Sequence, residues 1–228
     1  MMKSQIIYED NEILVIYKPE GLAAQSARVT QPDVVSEMCT YLKSPYVGLV
    51  HRLDQPVEGL MVLGKTKAAA GNLSAQLTDG SLKKTYLAVV EKQDGDVSQI
   101  SQQWTKLTDY LIKNAKQAKA EVVAEGSGKS AEKPVEATLF YRKLCDGAQG
   151  TALMEVELVT GRFHQIRVQM AHAKMPLLGD AKYGNGAGQS VKSVALCAYK
   201  LQFLHPKTKK EMEFEIKPRK AIFDRYEI

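Results

Sequence analysis

Apolar residues open the chain in short β-prone runs and then change period. Ile6-Ile7-Tyr8 is followed by Ile13-Leu14-Val15-Ile16-Tyr17, which closes on Lys18-Pro19-Glu20-Gly21, where Pro and Gly force a turn. From Asp33 to Lys43 the spacing is helical: Val34, Val35, Met38, Tyr41 and Leu42 share one face, and Asp33 is placed as the N-cap. Residues 47–65 read as strand, loop, strand. Val47-Gly48-Leu49-Val50 and Leu60-Met61-Val62-Leu63 bracket the polar insert His51-Arg52-Leu53-Asp54-Gln55-Pro56-Val57-Glu58-Gly59. A loop held between two apolar strands is a rigid mount for chemistry. Lys67 to Leu77 is Ala-rich and predicted helical, with Thr66 as N-cap and Gly80 as the stop, and Lys84–Val90 is predicted as a strand.

Residues 91–134 show the least regular pattern. Gln93-Asp94-Gly95-Asp96 predicts a turn, and Gly126-Ser127-Gly128-Lys129-Ser130 a mobile loop, with short strands over Leu107–Ile112 and Ala118–Val123. Ala137–Lys143 and Ala152–Leu158 read as paired strands. In the second, Met154, Val156 and Leu158 alternate with Glu155 and Glu157, which predicts one buried and one wet face. After Gly161 the pattern predicts a helix from His164 to Ala173, buried along Ile166, Met170 and Ala173. The end reads as a hairpin: Ala195–Phe203, a turn at His205-Pro206-Lys207-Thr208, then Glu211–Lys217, with Met212, Phe214 and Ile216 alternating with glutamates. The sum is a β-rich α+β protein with a few helices on its sheets.

Composition narrows the class. At 228 residues the chain makes one large domain or two small ones, and it can bury roughly 70% of its unfolded surface without a disulfide or metal staple. With 44% hydrophobic and 25% charged residues it is an ordinary globular sequence, neither disordered nor fibrous. It has no run of about 18 apolar residues to cross a membrane, and its opening lacks the apolar core of a signal peptide. The net charge of +5 permits a polyanionic partner without demanding one. Three separated cysteines, Cys39, Cys145 and Cys197, fit idle thiols in a reducing compartment, so the cytoplasm is expected.

Two segments can carry chemistry. In His51-Arg52-Leu53-Asp54, the carboxylate between apolar strands should be partly buried. It can serve as nucleophile, as general base or as a structural ion-pair partner, and a buried carboxylate kept ionised by an arginine suits attack on an electrophilic carbon. Gly161-Arg162-Phe163-His164-Gln165-Ile166-Arg167 brings N–H and guanidinium donors to the start of a helix, which suits phosphate or carboxylate binding, or else makes a solvated basic helix. Arg167 falls beside the buried face, where it can pair with an aspartate across the core. The four histidines lack metal-ligand spacing, His164 and His172 being eight apart, and there is no P-loop, catalytic Ser signature or dinucleotide fingerprint.

These segments carry a resemblance. His51-Arg52-Leu53-Asp54 with Gly59-Leu60, Lys84-Thr85-Tyr86-Leu87 and Gly161-Arg162-Phe163-His164-Gln165-Ile166-Arg167-Val168 stand in the order and spacing of the RluA-type RNA pseudouridine synthases. So do Lys18-Pro19-Glu20-Gly21, Pro176-Leu177-Leu178-Gly179-Asp180 with Tyr183-Gly184, and the stretch from Leu196-Cys197-Ala198 to His205-Pro206. The chain resembles that family over about residues 5–218. The resemblance implies a single catalytic domain over 1–228, with 91–134 as a variable loop-rich insert and no room ahead for an S4-type RNA-binding module. It also implies mixed, largely antiparallel sheets with flanking helices and a central RNA-binding cleft.

The implied reaction is conversion of uridine to pseudouridine in ribosomal or transfer RNA, with no cofactor and no metal, by a protein whose simple default is a monomer. The family's catalytic aspartate falls on Asp54, its active-site tyrosine on Tyr86 and the arginine that pairs with the aspartate on Arg167. The matching segments place Arg52, His51, Arg162, His164, Ile166 and Lys84 against the substrate. Tyr86 is expected to stack on the flipped base or to help move the C5 proton. Val57, Leu60 and Ile166 are expected as apolar walls, and RNA contact is expected along a rim of Lys83, Lys84, Arg162, Arg167, Lys174, Lys182, Lys207, Lys209 and Lys210.

The chain departs from the family in two places: Val57-Glu58 stands where Thr-Ser is frequent, and Phe163 where Thr is common. Glu58 is expected to point outward or to pair with a lysine, since facing the pocket it would raise the Asp54 pKa. Two other readings compete. An RNA-binding protein without catalysis predicts damage at Asp54, Tyr86 or Arg167, and all three are intact. A glycoside or nucleoside hydrolase calls for a second carboxylate flanking the bond, and only Glu58 is near in sequence.

Overall fold

The structure, a computed structural model, describes residues 2–26, 31–92, 96–126, 133–184 and 193–226. Most of the predicted elements form where the sequence pattern places them: β1 (Gln5–Glu9), β2 (Ile13–Lys18), α1 (Val34–Leu42), β3 (Gly48–Leu49), β4 (Glu58–Gly64), α2 (Lys67–Asp79) and β5 (Lys83–Glu91). They are followed by β6 (Thr105–Asn114), β7 (Lys119–Val123), β8 (Val135–Asp146), β9 (Thr151–Leu158), α3 (Gln165–His172), β10 (Leu196–Leu204) and β11 (Glu211–Glu215). The fold is α+β and β-rich, as expected.

The chain divides into two compact units, Met1–Thr85 with Cys197–Arg219, and Tyr86–Leu196 with Lys220–Ile228. In the first unit the strands run β1-β2-β4-β10, with β11 beside β10 and β3 beside β4. The registers of β1–β2, β2–β4, β3–β4 and β10–β11 are antiparallel, and β4–β10 is parallel, with Glu58 opposite Cys197. β2 and β4 are buried along their whole length. That is why their sequences are continuous apolar runs and not alternations. Ile13, Val15, Leu60, Val62, Leu73, Leu82, Leu201 and Phe203 form the core. Thr66 caps α2 by accepting from Ala69 N at 3.1 Å, and Asp33 caps α1 by accepting from Ser36 N at 2.8 Å. Gly59, at φ +132°, lies so near β10 that a Cβ would fall 2.3 Å from the Ala198 carbonyl oxygen. Only glycine fits there.

In the second unit the order is β5-β9-β8-β6-β7. β6, β7, β8 and β9 pair antiparallel in that spatial neighbourhood, with a bulge in β8 near Lys143 and Cys145. Helix α3 seats Val168 on Leu111, Ala120 and Ala137.

Four expectations change. Residues 91–134 are more regular than their composition suggests, because β6 and β7 form a ten- and a five-residue strand in one hairpin. Residues 93–95 and 127–132, which hold most of the two predicted loops, lie outside the described residues. Glu155, assigned to a wet face, is buried: Arg142 Nε donates to it at 2.6 Å and itself lies 4.8 Å over the exposed Trp104 ring. Tyr41, assigned to the buried face of α1, is exposed and donates to Glu9 at 3.0 Å. Helix α3 buries Gln165 through Met170 without a break, so it has no single apolar stripe.

Candidate active site

In the first unit the segment 51–57 leads into β4 with its side chains sorted by depth. His51, Leu53 and Val57 are buried, Arg52 is exposed, and Asp54 lies between, half-buried. Leu53 and Val57 thus anchor the loop from below and present Asp54 at its surface. The Asp54 carbonyl closes the turn by accepting from Val57 N at 3.0 Å.

The Lys18–Gly21 turn clamps the same loop. Gln55 donates through Nε2 to the Gly21 carbonyl at 2.9 Å, and its own carbonyl accepts from Gly21 N at 2.8 Å. Lys18 is fully buried, and its ammonium donates to the carbonyls of Pro19 (2.9 Å), Leu22 (2.8 Å) and Gln55 (3.3 Å). A buried cation holding three carbonyls fixes the loop's path, because no solvent competes for those contacts. Arg52 reaches Gln25 through Nη2 at 3.2 Å.

His51 pins the far end of the loop: its Nε2 accepts from Val62 N at 3.2 Å. Burial, together with the positive charge of Lys84, pushes its pKa down to about 3, and burial pushes Lys84 down to about 8. His51 is therefore neutral at physiological pH. Because the folded ring refuses a proton that the unfolded chain accepts, its contribution to stability is full above pH 6.5 and is lost as pH falls towards 3. The expected loss across that window is on the order of 2–4 kcal/mol. Urea midpoints of wild type and His51→Gln, taken from about pH 7 to pH 4, should converge as pH falls; parallel declines would contradict this.

The second unit holds the other segment. Gln165 locks the entry to α3: its Oε1 accepts from Thr160 Oγ1 at 2.7 Å and Arg162 N at 2.9 Å, and its Nε2 donates to the Thr138 carbonyl at 3.1 Å. His164 occupies the left-handed region at φ 54°, which turns the chain into the helix. Arg167 is buried and meets Asp180 in a bidentate pair, Nε to Oδ2 and Nη2 to Oδ1, both at 2.7 Å. Asp180 Oδ1 also accepts from Lys182 N at 2.9 Å and Tyr183 N at 3.2 Å. Burial alone would raise the Asp180 pKa, but the Arg167 hydrogen bonds and charge, with those two amides, outweigh it and hold the carboxyl below its ordinary value. The Arg167 guanidinium also lies 5.3 Å over the Tyr183 ring. The Tyr183 hydroxyl accepts from Ala120 N at 2.6 Å and shares a hydrogen bond with His164 Nδ1 at 2.8 Å.

Among the expected site residues, His51, Arg52, Asp54 and Lys84 thus belong to the first unit, and Tyr86, Arg162, His164, Ile166 and Arg167 to the second. Tyr86 and Ile166 are buried, and Arg162 is exposed with Nε donating to the Glu136 carbonyl at 3.0 Å. Lys84 and Arg167, assigned to a solvated rim, are buried; Lys84 opens the buried length of β5, and Arg167 lies in the continuously buried part of α3. Glu58 does not point outward. It is buried, accepts from the Tyr17 hydroxyl at 2.5 Å and from Arg219 N at 3.2 Å, while the Arg219 guanidinium stacks 3.9 Å from the Tyr17 ring. Burial and the Glu58 charge raise the Tyr17 pKa far above its usual value, so its proton stays in place. The roles of Asp180, Tyr183 and Lys18 escaped the residue-level reading, although all three sit in motifs already singled out. Only their long-range partners reveal what they do. Among the described residues no three His, Cys, Asp or Glu side chains are grouped to hold a metal, and no helix is long and apolar enough to cross a membrane.

This is the fold of the pseudouridylate synthases. The structure of human RNA pseudouridylate synthase domain containing 4 superposes with a TM-score of 0.74 at 23% sequence identity, covering 97% of this chain and 92% of that one. The chain belongs to the RNA pseudouridylate synthase family, whose sequence model matches residues 12–172, from β2 through α3. Ribosomal large subunit pseudouridine synthase D of Neisseria meningitidis is 34% identical over 94% of this chain, which spans 58% of that relative's length. tRNA pseudouridine synthase C of Vibrio cholerae is 27% identical over 91% of this chain and 88% of its own.

Proposed function

We propose that this protein converts uridine to pseudouridine at specific positions of structured ribosomal or transfer RNA, as a monomer and without cofactor or metal. The observation that carries the reading is the aspartate loop: within the segment matched by the family, Asp54 stands half-buried on a turn held by Leu53, Val57, Gln55 and the buried Lys18. The two units act together as one catalytic domain. One matched relative is named for ribosomal and another for transfer RNA, which supports RNA as substrate and leaves both kinds as targets to be tested.

A uridine stacked in folded RNA must leave its stack to be reached, at a cost of a few kcal/mol. Arg52 and Arg162 offset that cost through the backbone, with His51, His164 and the buried Lys84 shaping the segments around the substrate and Tyr86 stacking on the uracil. Asp54 opens the N1–C1′ bond, by attack on C1′ or by taking a ribose proton; both routes need its carboxylate. Arg167 is the positive charge proposed to serve that carboxylate in the reaction. The freed uracil turns in place, C5 bonds to C1′, the C5 proton leaves to solvent and N1 gains one. Ile166, Val57 and Leu60 keep water from the sugar while the base is free.

The test is tritium release. Transfer and ribosomal RNA transcripts made with [5-³H]uridine, incubated with the purified protein and a chelator, should release tritium to water in step with pseudouridine, with no free uracil. Free uracil would make the protein a hydrolase, and an inert RNA pool that nonetheless binds would make it an RNA-binding protein.

A further inference from the structure

Phe163 is an apolar ring where the resembled family often carries threonine, and it is 40% exposed. It is not loose. One face stacks on the His164 ring at 3.8 Å and 20°. His164 in turn meets Tyr183 edge-on at 5.6 Å and 88° and is hydrogen-bonded to it, so a rigid three-ring assembly ends outward in Phe163. Cations surround it: the Lys113 ammonium lies 5.2 Å over the Phe163 ring and that of Lys119 5.9 Å over Tyr183. Both belong to the β6–β7 hairpin, whose turn also carries the exposed Lys116. Lys182 is tied to that turn through the Ala118 carbonyl at 2.6 Å. Against Lys113, Lys116 and Lys119 the hairpin tip has one carboxylate, Glu121, which accepts from Asn114 at 2.7 Å, so the tip is net basic.

We propose that Phe163 is a stacking platform for an unpaired nucleobase of the RNA substrate, and that Lys113, Lys116 and Lys119 take the phosphates flanking it. The proposal rests on the RNA-modifying reading above and adds a recognition residue to it. A rigid, backed aromatic with one open face costs little ordering entropy when a base lands on it. Lys113 covers that face in the free protein through an exposed cation–π contact, which is weaker than base–aromatic stacking. An arriving base displaces the ammonium, and the freed lysine meets the phosphate beside it. The hairpin thereby supplies RNA contacts absent from the rim expected from sequence.

The probe is a labelled single-stranded RNA carrying one 2-aminopurine, with the fully paired duplex as control. Wild-type protein should bind the single strand and quench the 2-aminopurine. Phe163→Ala should bind about ten-fold more weakly and leave it bright, while Phe163→Trp should restore both. Lys113→Gln with Lys119→Gln should keep the quenching but reduce the salt slope of log Kd by about 1.4. Asp54→Asn should bind and quench as wild type does, so the readout does not pass through catalysis. Phe163→Ala equal to wild type in affinity and quenching, or wild type that binds without quenching, overturns the platform. Failure of tritium release with quenching intact overturns the catalytic reading instead.

Discussion

Asp54→Asn should reduce pseudouridine formation by at least about a thousand-fold while leaving the fold in place. Asparagine keeps the size and the turn but removes the negative charge, and with it both the nucleophile and the base that opening a glycosidic bond requires. The loop should survive because its anchors are elsewhere. Leu53 and Val57 are buried beneath it, Lys18 and Gly21 hold Gln55, and the Asp54–Val57 turn uses backbone atoms only. Because asparagine gives up the charge proposed to pair with Arg167, stability is expected to fall by about 1–3 kcal/mol with the fold retained. Single-turnover assays beside urea melts measure both. A variant that unfolds would assign Asp54 a structural role, and one that keeps activity would remove it from the chemistry.

Asp180→Ala should be the most damaging single change to the second unit. Its side chain is fully buried and meets the buried Arg167 at two points of 2.7 Å. Removing one partner takes the two-point carboxylate away from a buried guanidinium, at a cost of about 3–5 kcal/mol. The same carboxylate also orders the Lys182 and Tyr183 amides, and Tyr183 orients His164, so the loss spreads to the entry of α3. Arg167→Lys should recover little, since an ammonium cannot reproduce the two-point fork. The pair has a pH signature. The Asp180 pKa is depressed in the fold, so its contribution stands above the unfolded value of about 3.9 and is lost as pH falls below it. Asp180→Asn should lose that acid-side sensitivity. Urea midpoints, with pseudouridine yield at a temperature where each variant is folded, provide the check; an Asp180→Ala protein as stable as wild type would contradict the account.

What the sequence discloses and what it hides divide along the range of the interactions. Thr66 and Gly80 bound α2, and Asp33 caps α1, because capping is decided within three or four residues. Met212 and Phe214 alternate with glutamates because β11 has one face on Tyr8 and Phe203 and one in solvent. The HRLD loop is visible as a polar insert between apolar runs. Buried charge is not visible in this way. Glu58 reads as a surface acid until Tyr17, 41 residues away, and Arg219, 161 residues away, are seen around it. Glu155 follows the alternation of β9 yet is buried by Arg142 from the neighbouring strand. Helix α3 hides for the opposite reason: buried from Gln165 to Met170, it pairs Gln165, Arg167 and the Gln169 Nε2 with specific partners and so lacks the apolar stripe that marks a surface helix. The missing information is which distant side chain neutralises each polar group, and only the tertiary structure supplies it.

Production of pseudouridine in cellular RNA through the carboxylate of Asp54, as proposed, can be read directly. Pseudouridine can be mapped across all RNA from cells lacking the protein, before and after incubation of that RNA with purified wild type or Asp54→Asn. Discrete uridines should be unmodified in the depleted cells, become pseudouridine with wild type, and remain uridine with the variant. Maps that do not differ between depleted and complete cells, and that purified wild type leaves unchanged, would contradict the account.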